Sequence, residues 1–219
     1  MNYSIIIPVH NEVQLLDQLL RELYPFSNDH EILIVDDGST DGSQNILKKC
    51  SFIKLIQLNK NSGKGVAIRT GLQHSSNENI VLFDGDLEIS THEISSLMVL
   101  EPDSRQVIFG FRNSNLNPLG SIMNFGNFFF NGLFNLVYRT HFRAILCGCK
   151  AFPISTLDID KLNSTQFDID IELSGHFSQN NEIRIREIPL QYNRRDSIGG
   201  KKLKINDGWS ILYRLFHIK

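Results

Sequence analysis

The hydrophobic residues in the first half of the chain fall into short continuous runs separated by longer, more polar segments. Continuous apolar runs predict strands at 4–9, 31–35, 52–57, 79–83 and 106–110. The segments between them predict helices at 12–24, from the 36–41 turn to about residue 49, at 64–74, and after a capping box at Ser90 and Glu93. Strands without polar alternation are buried on both faces. The order therefore predicts an α/β fold with a mostly parallel sheet and helices on both faces.

The second half of the chain is less regular. A helix is predicted over 122–138, with four asparagines on one stripe and phenylalanines over much of its remaining surface. Further elements are predicted as a helix at 167–177, an alternating strand at 182–190 and a C-terminal basic helix at 206–218. Because the sequence contains no internal repeat, low-complexity tract or clear linker, we expect a single domain over 1–219.

The 219 residues have the composition of an ordinary globular protein and a formal net charge of −2. This charge gives no support for nucleic-acid binding, although the stretch from Arg194 to Lys219 is basic, with seven Lys or Arg against two Asp. The three cysteines form no even set, so we expect reduced thiols in a cytoplasmic protein. We see neither a signal peptide nor an apolar run of about 18 residues, so we expect no membrane-spanning helix.

The sharpest chemical feature follows the fourth predicted strand, where the sequence reads Asp84-Gly85-Asp86-Leu87-Glu88. In parallel sheets, ligands bind at the carboxyl ends of the strands, and polar clusters follow two other strands of this chain as well. Carboxylates are hard oxygen ligands for Mg²⁺ or Mn²⁺, and such a cation can neutralise a diphosphate leaving group. The alternative interpretation is an acidic turn that caps the next helix.

Two further features favour a nucleotide at this edge of the sheet. Asp36 and Asp37 suit hydrogen bonds to a base or a ribose, although either one also suits a helix cap. Gly63 and Gly65 permit close approach of the backbone to phosphates, and Lys64 supplies a cation. A solvated turn with an exposed lysine is the alternative for this segment.

Four sequence segments occur in the order and spacing of one known family. They read SIIIPVHNE from residue 4, EILIVDDGSTDGS from residue 31, NKNSGKGVAIRTGL from residue 59 and IVLFDGDLE from residue 80. The chain thereby resembles the family 2 glycosyltransferases with the GT-A fold, and among them the polyprenyl-phosphate branch that includes the dolichol-phosphate mannosyltransferases. The resemblance covers nearly the whole chain. It implies a nucleotide-sugar-binding half at 1–110 and an acceptor-binding half at 111–219.

The resemblance and the strand-end chemistry together imply roles for individual residues of the donor site. The residues expected at the nucleotide sugar are Pro8, Val9, Asn11, Glu12, Asp36, Asp37, Lys64, Asp84, Gly85 and Arg112. Asp86 and Glu88, together with Asp84, are the expected ligands of a Mg²⁺ or Mn²⁺ cofactor. For Arg112, a solvated loop position is the alternative.

Three later segments resemble parts of the family that lie near the sugar and the acceptor. CGCKAF at 147–152 looks like a segment near the sugar, and FDIDIE at 167–172 looks like the segment with an acceptor-side acid. Asp170 aligns with that acid, which is usually Glu, and Asp168 is its neighbour. Relatives often have Asp at the position of Ala144. Residues expected in a basic loop that closes over donor and acceptor phosphates are Arg194, Arg195, Lys201 and Lys202.

The family implies transfer with inversion from a UDP- or GDP-sugar, and the acceptor decides the remaining chemistry. An anionic lipid phosphate needs no general base, whereas a sugar hydroxyl needs one, for which Asp170 or Asp168 is the candidate. For Asp168, an acid that complements the helix dipole is the alternative. A lipid acceptor predicts peripheral contact with the cytoplasmic face of the membrane through the 122–138 and C-terminal helices, whose alternative is packing on the sheet edge.

Two other functions stay open at this point. A soluble family 2 enzyme would use the same donor site but add its sugar to a cell-surface polysaccharide or glycan hydroxyl. An inactive GT-A module would serve as a binding or scaffold subunit. Ala144 is consistent with the inactive module, whereas the intact Asp84, Asp86 and Glu88 argue against it.

Overall fold

The computed structural model describes residues 1–112, 122–192 and 207–218. Its strands are β1 (Tyr3–Val9), β2 (Glu31–Asp36), β3 (Lys54–Gln57), β4 (Asn79–Leu82), β5 (Gln106–Arg112), β6 (Lys150–Pro153) and β7 (Arg184–Leu190). Its helices are α1 (Val13–Leu23), α2 (Ser43–Leu47), α3 (Lys64–His74), α4 (Glu93–Leu97), α5 (Ile122–Tyr138), α6 (Ile169–Gln179) and α7 (Asp207–Phe216). Short 3₁₀ segments lie at Tyr24–Asn28, Ile154–Thr156 and Ile159–Lys161.

The strands form one seven-stranded sheet in the order β3-β2-β1-β4-β6-β5-β7. Only β6 runs antiparallel to its neighbours, β4 and β5, so the predicted mostly parallel α/β fold is confirmed. The sequence pattern does not predict β6. Its four residues begin with Lys150 and end with Pro153, and the two apolar residues between them are too few to give a strand signal.

Helices cover both faces of the sheet, as the continuous apolar runs predicted. In β1, Ile5 and Ile7 belong to the hydrophobic cluster that contains residues of α1 and α4, whereas Ile6 belongs to the cluster with residues of α3 and α6. All three side chains are fully buried. Successive residues of a strand point to opposite faces, so burial on both faces favours apolar residues at consecutive positions of the run.

A third hydrophobic cluster holds α5 and α7 against α6. Phe134 of α5, Ile171 of α6 and Leu215 of α7 are buried in it. The hydroxyl of Tyr138 also donates a hydrogen bond to the carbonyl of Leu215 over 2.8 Å. One side of each helix therefore packs on α6 and on the other helix, whereas the sequence-based alternative to membrane contact was packing on the sheet edge.

The asparagine stripe of α5 binds the backbone that follows the helix. The amide groups of Asn131 and Asn135 donate to the carbonyl of Phe142 over 2.7 and 2.8 Å. Their side-chain oxygens accept the N–H groups of Ile145 and Phe142, respectively. These bonds satisfy the polar backbone of an irregular segment that leads toward β6, so these two asparagines have a structural role.

The predicted capping box at Ser90 and Glu93 is wrong. The N–H of Glu93 donates to the carbonyl of Ser90, but the carboxylate of Glu93 accepts the N–H of Gln191 over 3.1 Å. No side chain caps α4. The chain that leaves β7 passes α4, and its backbone binds the carboxylate that the local pattern assigned to the helix.

A buried group of charges fixes α7 to α6. Nε of Arg214 lies 3.2 Å from Asp168, and its Nη1 lies 3.2 Å from Glu172. Glu172 also accepts the N–H groups of Asn163 and Ser164. The two carboxylates are nearly inaccessible to solvent, so the guanidinium neutralises charge that water cannot reach.

We expect Arg214→Met to lower the free energy of unfolding by about 3 kcal/mol, because it leaves two buried carboxylates without their cation. The matched control is Arg105→Met, which removes an exposed ion pair with Glu182 and should cost less than about 1 kcal/mol. Urea unfolding followed by circular dichroism measures both. Equal unfolding midpoints for the two variants would contradict the assignment.

Candidate active site

Three of the predicted polar segments lie side by side at one edge of the sheet. β2, β1 and β4 are parallel neighbours, so the segments that follow them, at 36–41, 8–12 and 84–88, leave the sheet at the same edge. This is the carboxyl edge, where open α/β sheets bind ligands.

Asp36 and Asp37 are buried, and both bind the protein's own loops. The carboxylate of Asp36 accepts the N–H of Ser39 over 3.0 Å. The two oxygens of Asp37 accept the N–H groups of Ser62 and Gly63 over 2.6 and 2.8 Å, immediately before α3. Asp37 therefore fixes the loop that precedes Lys64, and its contact with a base stays a prediction.

The segment from Pro8 to Glu12 is held by the 36–43 loop. Asn11 adopts a left-handed backbone with φ of 52°, its N–H donates to Oγ of Ser39, and its Oδ1 accepts the N–H of Thr40. The N–H of Glu12 donates to Oγ of Ser43 over 3.2 Å. These bonds hold together the two segments that the sequence assigns to the nucleotide.

His10 joins three of these segments, although no sequence pattern singles it out. Its Nδ1 lies 2.7 Å from the carbonyl oxygen of Asp37, and its Nε2 lies 2.9 Å from Nδ2 of Asn61. Its position between Val9 and Asn11, two residues predicted to bind the nucleotide, is the sequence signal that could have identified it.

The chain itself makes a close backbone approach at Gly63 and Gly65. A Cβ atom on Gly63 would lie 2.2 Å from the carbonyl oxygen of Thr165, and one on Gly65 would lie 2.4 Å from that of Ser164. The 164–166 segment, which leads into α6, therefore requires both glycines, and the approach of phosphates to this backbone stays a prediction. This packing places the start of α6 beside the start of α3.

Lys64 stands at the junction that this packing creates. Its ammonium lies 2.7 Å from Oδ1 of Asp84 and 3.1 Å from Oδ2 of Asp170, and it is almost buried. Burial alone would lower the pKa of Lys64, but Asp170 and Asp84 outweigh it and hold the pKa above its ordinary value. The lysine is thus a permanent cation that contacts one acid from each half of the chain.

Asp84 and Asp86 have opposite electrostatic environments. Burial opposes ionisation of Asp84, but the adjacent Lys64 prevails and lowers the pKa of Asp84. For Asp86, burial raises the pKa to about 6, and the negative charges of Asp84 and Glu88 add to the effect. Of these two carboxylates, Asp86 is therefore the one whose ionised form its surroundings disfavour.

These residues fit a divalent cation in part. The prediction named Asp84, Asp86 and Glu88 as its ligands, but no three such side chains in the described ranges are arranged to hold a metal by themselves. Asp84 is bound to Lys64 instead. Mg²⁺ in nucleotide sites commonly uses one or two carboxylates plus phosphate oxygens, and a cation at Asp86 would offset the negative charges of Asp84 and Glu88 that act on it.

The turn between Ala144 and β6 packs against the side chains of Lys64 and Asp84. A Cβ atom on Gly148 would lie 2.5 Å from Oδ2 of Asp84 and 2.6 Å from Nζ of Lys64, so a side chain here would displace one of these two charged groups. The buried ammonium of Lys150 donates to the carbonyls of Ile145 and Cys147 and stabilises the turn. The cysteines at 147 and 149 are free thiols, as predicted.

The structure separates the two candidate catalytic acids. Asp170 contacts Lys64, and its Oδ1 is buried without a hydrogen-bond partner among the described residues. Asp168 accepts the N–H of Gln166 and pairs with Arg214, so it lies in the ion group between α6 and α7. Asp170 is therefore the acid that lies beside the predicted donor site.

Arg112 lies at the end of β5, beside Glu88. Its Nη2 is 3.8 Å from Oε2 of Glu88, and the hydroxyl of Tyr192 donates to the same oxygen over 3.1 Å. This places Arg112 at the predicted donor site and not in a solvated loop. The four basic residues predicted to close over the phosphates, Arg194, Arg195, Lys201 and Lys202, lie outside the described residues.

Solved structures with this architecture include two enzymes that act on small phosphorylated substrates. Glucosyl-3-phosphoglycerate synthase from Mycobacterium tuberculosis superposes with a TM-score of 0.75 at 16% identity, over 98% of this chain and 79% of that one. Mannosyl-3-phosphoglycerate synthase from Rubrobacter xylanophilus gives 0.68 at 14% identity, over 99% and 72%. This similarity confirms the predicted GT-A fold.

Curated relatives match about half of the chain. Undecaprenyl-phosphate 4-deoxy-4-formamido-L-arabinose transferase from Enterobacter sp. (strain 638) is 35% identical over 114 residues, which are 48% of this chain and 35% of the relative. The same-named protein from Salmonella choleraesuis (strain SC-B67) is 34% identical over 125 residues, or 53% and 38%. The match thus spans little more than a third of these relatives' length.

The family model described as "Glycosyl transferase family 2" matches residues 4–150. This range includes all three strand-end segments, Lys64, Arg112 and the turn that contains Gly148. The chain belongs to glycosyl transferase family 2.

Proposed function

We propose that the chain is an inverting glycosyltransferase that moves a hexose from a UDP- or GDP-sugar to a polyprenyl phosphate at the cytoplasmic face of the membrane. The observation that supports this most is the double ion pair of Lys64. Asp84 belongs to the predicted donor half at 1–110 and Asp170 to the predicted acceptor half at 111–219. The two halves therefore meet at one cation, where a sugar would pass from donor to acceptor.

On the donor side, the nucleoside would lie in the crevice formed by the 8–12 and 36–41 segments. Asp86 and Glu88 would hold a divalent cation, and Arg112 would bind the diphosphate. A bound Mg²⁺ or Mn²⁺ supplies charge neutralisation to the departing diphosphate. Solved structures of the mycobacterial synthase contain UDP with Mn²⁺ or with Mg²⁺, which supports such a cation here.

On the acceptor side, a phosphate oxygen would attack the anomeric carbon from the face opposite the leaving diphosphate. This nucleophile is already anionic, so no side chain has to remove a proton from it. The names of the two curated relatives, which specify undecaprenyl phosphate, support a lipid phosphate as acceptor.

A lipid acceptor also requires a surface that reaches the bilayer, and α5 and α7 offer one. No helix in the described parts of the chain is long and apolar enough to cross a membrane. The large apolar side chains that these two helices expose are Phe125, Phe128, Phe129, Leu136, Val137, Trp209, Tyr213 and Phe216. Trp209 is 74% exposed, and α5 contains no charged residue. Apolar patches of this kind mark interaction surfaces, and aromatic side chains favour the membrane interface.

One observation favours a second candidate, a glycan hydroxyl as acceptor. Oδ1 of Asp170 is buried without a partner among the described residues, although Oδ2 binds Lys64. A carboxylate oxygen in this state suits the role of a general base for a hydroxyl.

We expect Asp86→Asn to stabilise the metal-free protein at pH 7 and to abolish donor binding. The pKa of Asp86 is raised to about 6, so the folded state binds this proton more tightly than the unfolded chain, and stability is lost as the pH rises from about 4 to about 6 and stays lost at pH 7. The gain should be about 1 to 3 kcal/mol by urea unfolding. Asp17→Asn, at an exposed position of α1, is the neutral control.

Donor binding is measured by thermal shift with UDP- and GDP-sugars, each with Mn²⁺, Mg²⁺ or EDTA. A donor at about 100 times its Kd should stabilise the wild-type protein by about 2.7 kcal/mol in the presence of metal only. Failure of every donor to stabilise folded wild-type protein would overturn the proposed activity for this chain and favour a scaffold role.

We expect Asp170→Asn to lower kcat less than about tenfold with polyprenyl phosphate in detergent, because that acceptor needs no base. Asp168→Asn is the comparison, and its main effect should be on stability through Arg214. A loss of about 10²- to 10⁴-fold for Asp170→Asn, with unchanged donor affinity and unchanged free energy of unfolding, would instead identify it as a general base and favour a hydroxyl acceptor.

We expect the wild-type protein to co-sediment with vesicles of phosphatidylethanolamine and phosphatidylglycerol. The double variant Phe128→Ser, Trp209→Ser should lower the partition coefficient about tenfold or more, because each side chain contributes apolar area to the contact. Tyr24→Ser removes an exposed aromatic residue far from α5 and α7 in sequence and is the matched control. Wild-type protein that stays in the supernatant would contradict membrane contact.

A further inference from the structure

Tyr192 lies just beyond the end of β7, in contact with the predicted donor site. It forms an antiparallel bridge with Ile89, the residue that directly follows Glu88. The backbone therefore fixes where its side chain starts, next to the acidic segment after β4. No sequence motif singles out this tyrosine.

The side chain of Tyr192 contacts two predicted site residues at once. Its hydroxyl donates a hydrogen bond to Oε2 of Glu88 over 3.1 Å. The centre of its ring lies 4.7 Å from the guanidinium carbon of Arg112, which stacks over the ring in a cation–π contact. Arg112 in turn places Nη2 at 3.8 Å from the same oxygen of Glu88.

Both contacts to Glu88 fall on Oε2, so neither of them uses Oε1. A carboxylate that is anchored through one oxygen can present the other in a fixed direction. Metal-binding carboxylates are commonly held in this way by an outer hydrogen bond, and loss of that bond weakens metal binding.

The ring of Tyr192 also restricts the orientation of the Arg112 side chain. The ring fixes the plane of the guanidinium, and Nε of Arg112 is buried without a hydrogen-bond partner among the described residues. A buried donor in this state calls for an acceptor. An oxygen of a diphosphate matches the planar, cationic donor group.

We propose that Tyr192 is a positioning residue of the donor site. Its hydroxyl directs Glu88 toward the divalent cation, and its ring directs Arg112 toward the diphosphate of the donor. The proposal rests on the proposed function, since it assigns Tyr192 to the same metal and donor site.

Two substitutions separate the two contacts. Tyr192→Phe keeps the ring under Arg112 and removes only the bond to Glu88, so we expect the Kd for Mn²⁺ at saturating UDP or GDP to rise about tenfold or more. Free Mn²⁺ is followed by its electron paramagnetic resonance signal. Nucleotide Kd at saturating Mn²⁺ should stay within about twofold of wild type. Tyr192→Leu should in addition raise the nucleotide Kd about three- to thirtyfold.

Tyr24→Phe, which removes an exposed hydroxyl elsewhere, is the matched control and should leave both constants unchanged. Thermal unfolding without metal shows whether a variant is merely less stable. Unchanged Mn²⁺ affinity in Tyr192→Phe, or a loss matched by an equal loss of metal-free stability, would overturn the role of the hydroxyl. If wild-type protein binds no Mn²⁺ with either nucleotide, the proposed function fails together with this inference. If wild-type protein binds Mn²⁺ with a nucleotide and Tyr192→Phe binds it with the same Kd, only this inference fails.

Discussion

The ion pairs of Lys64 are the interaction on which the arrangement of the candidate site depends. A buried ammonium is costly unless its charge is matched, and here two carboxylates from distant parts of the chain match it. One of them, Asp84, follows β4, and the other, Asp170, lies in the first turn of α6. The cation therefore fixes the distance between the end of β4 and the start of α6, a helix of the second half of the chain.

The packing around Lys64 leaves little freedom. Gly63 and Gly65 let the 164–166 segment approach the start of α3, and Gly148 lets the turn before β6 approach Asp84 and the ammonium. Asp37 holds the loop on the other side through two backbone N–H groups. A side chain at any of these glycines would separate parts of the chain that the ion pairs require to be close.

The second half of the chain extends this arrangement to the surface. α6 contains Asp170 on the side of Lys64 and pairs through Asp168 and Glu172 with Arg214 of α7. The opposite side of α7 exposes Trp209, and α5 next to it exposes several phenylalanines. In our proposal this links the membrane-facing surface to the acceptor side of the site through a single helix.

The sequence by itself determined most of the elements, the fold family and most of the donor-site candidates. Strands buried on both faces read as continuous apolar runs, and four ordered motifs identified the family. α3 begins and ends where its pattern predicted, at Lys64–His74. The same pattern placed the acidic segments at one sheet edge, because the carboxyl ends of parallel neighbours must coincide there.

The tertiary structure alone decided which of these residues meet and what each one contacts. Local spacing could not reveal that Gly63 and Gly65 pack against a segment about 100 positions later in the chain. Nor could it reveal that Glu93 binds the backbone after β7, or that Asp168 pairs with Arg214. Tyr192 likewise meets Glu88 only because β7 returns to the sheet beside β5. Such contacts depend on long-range packing, whereas periodicity and motifs report only the local conformation of the chain.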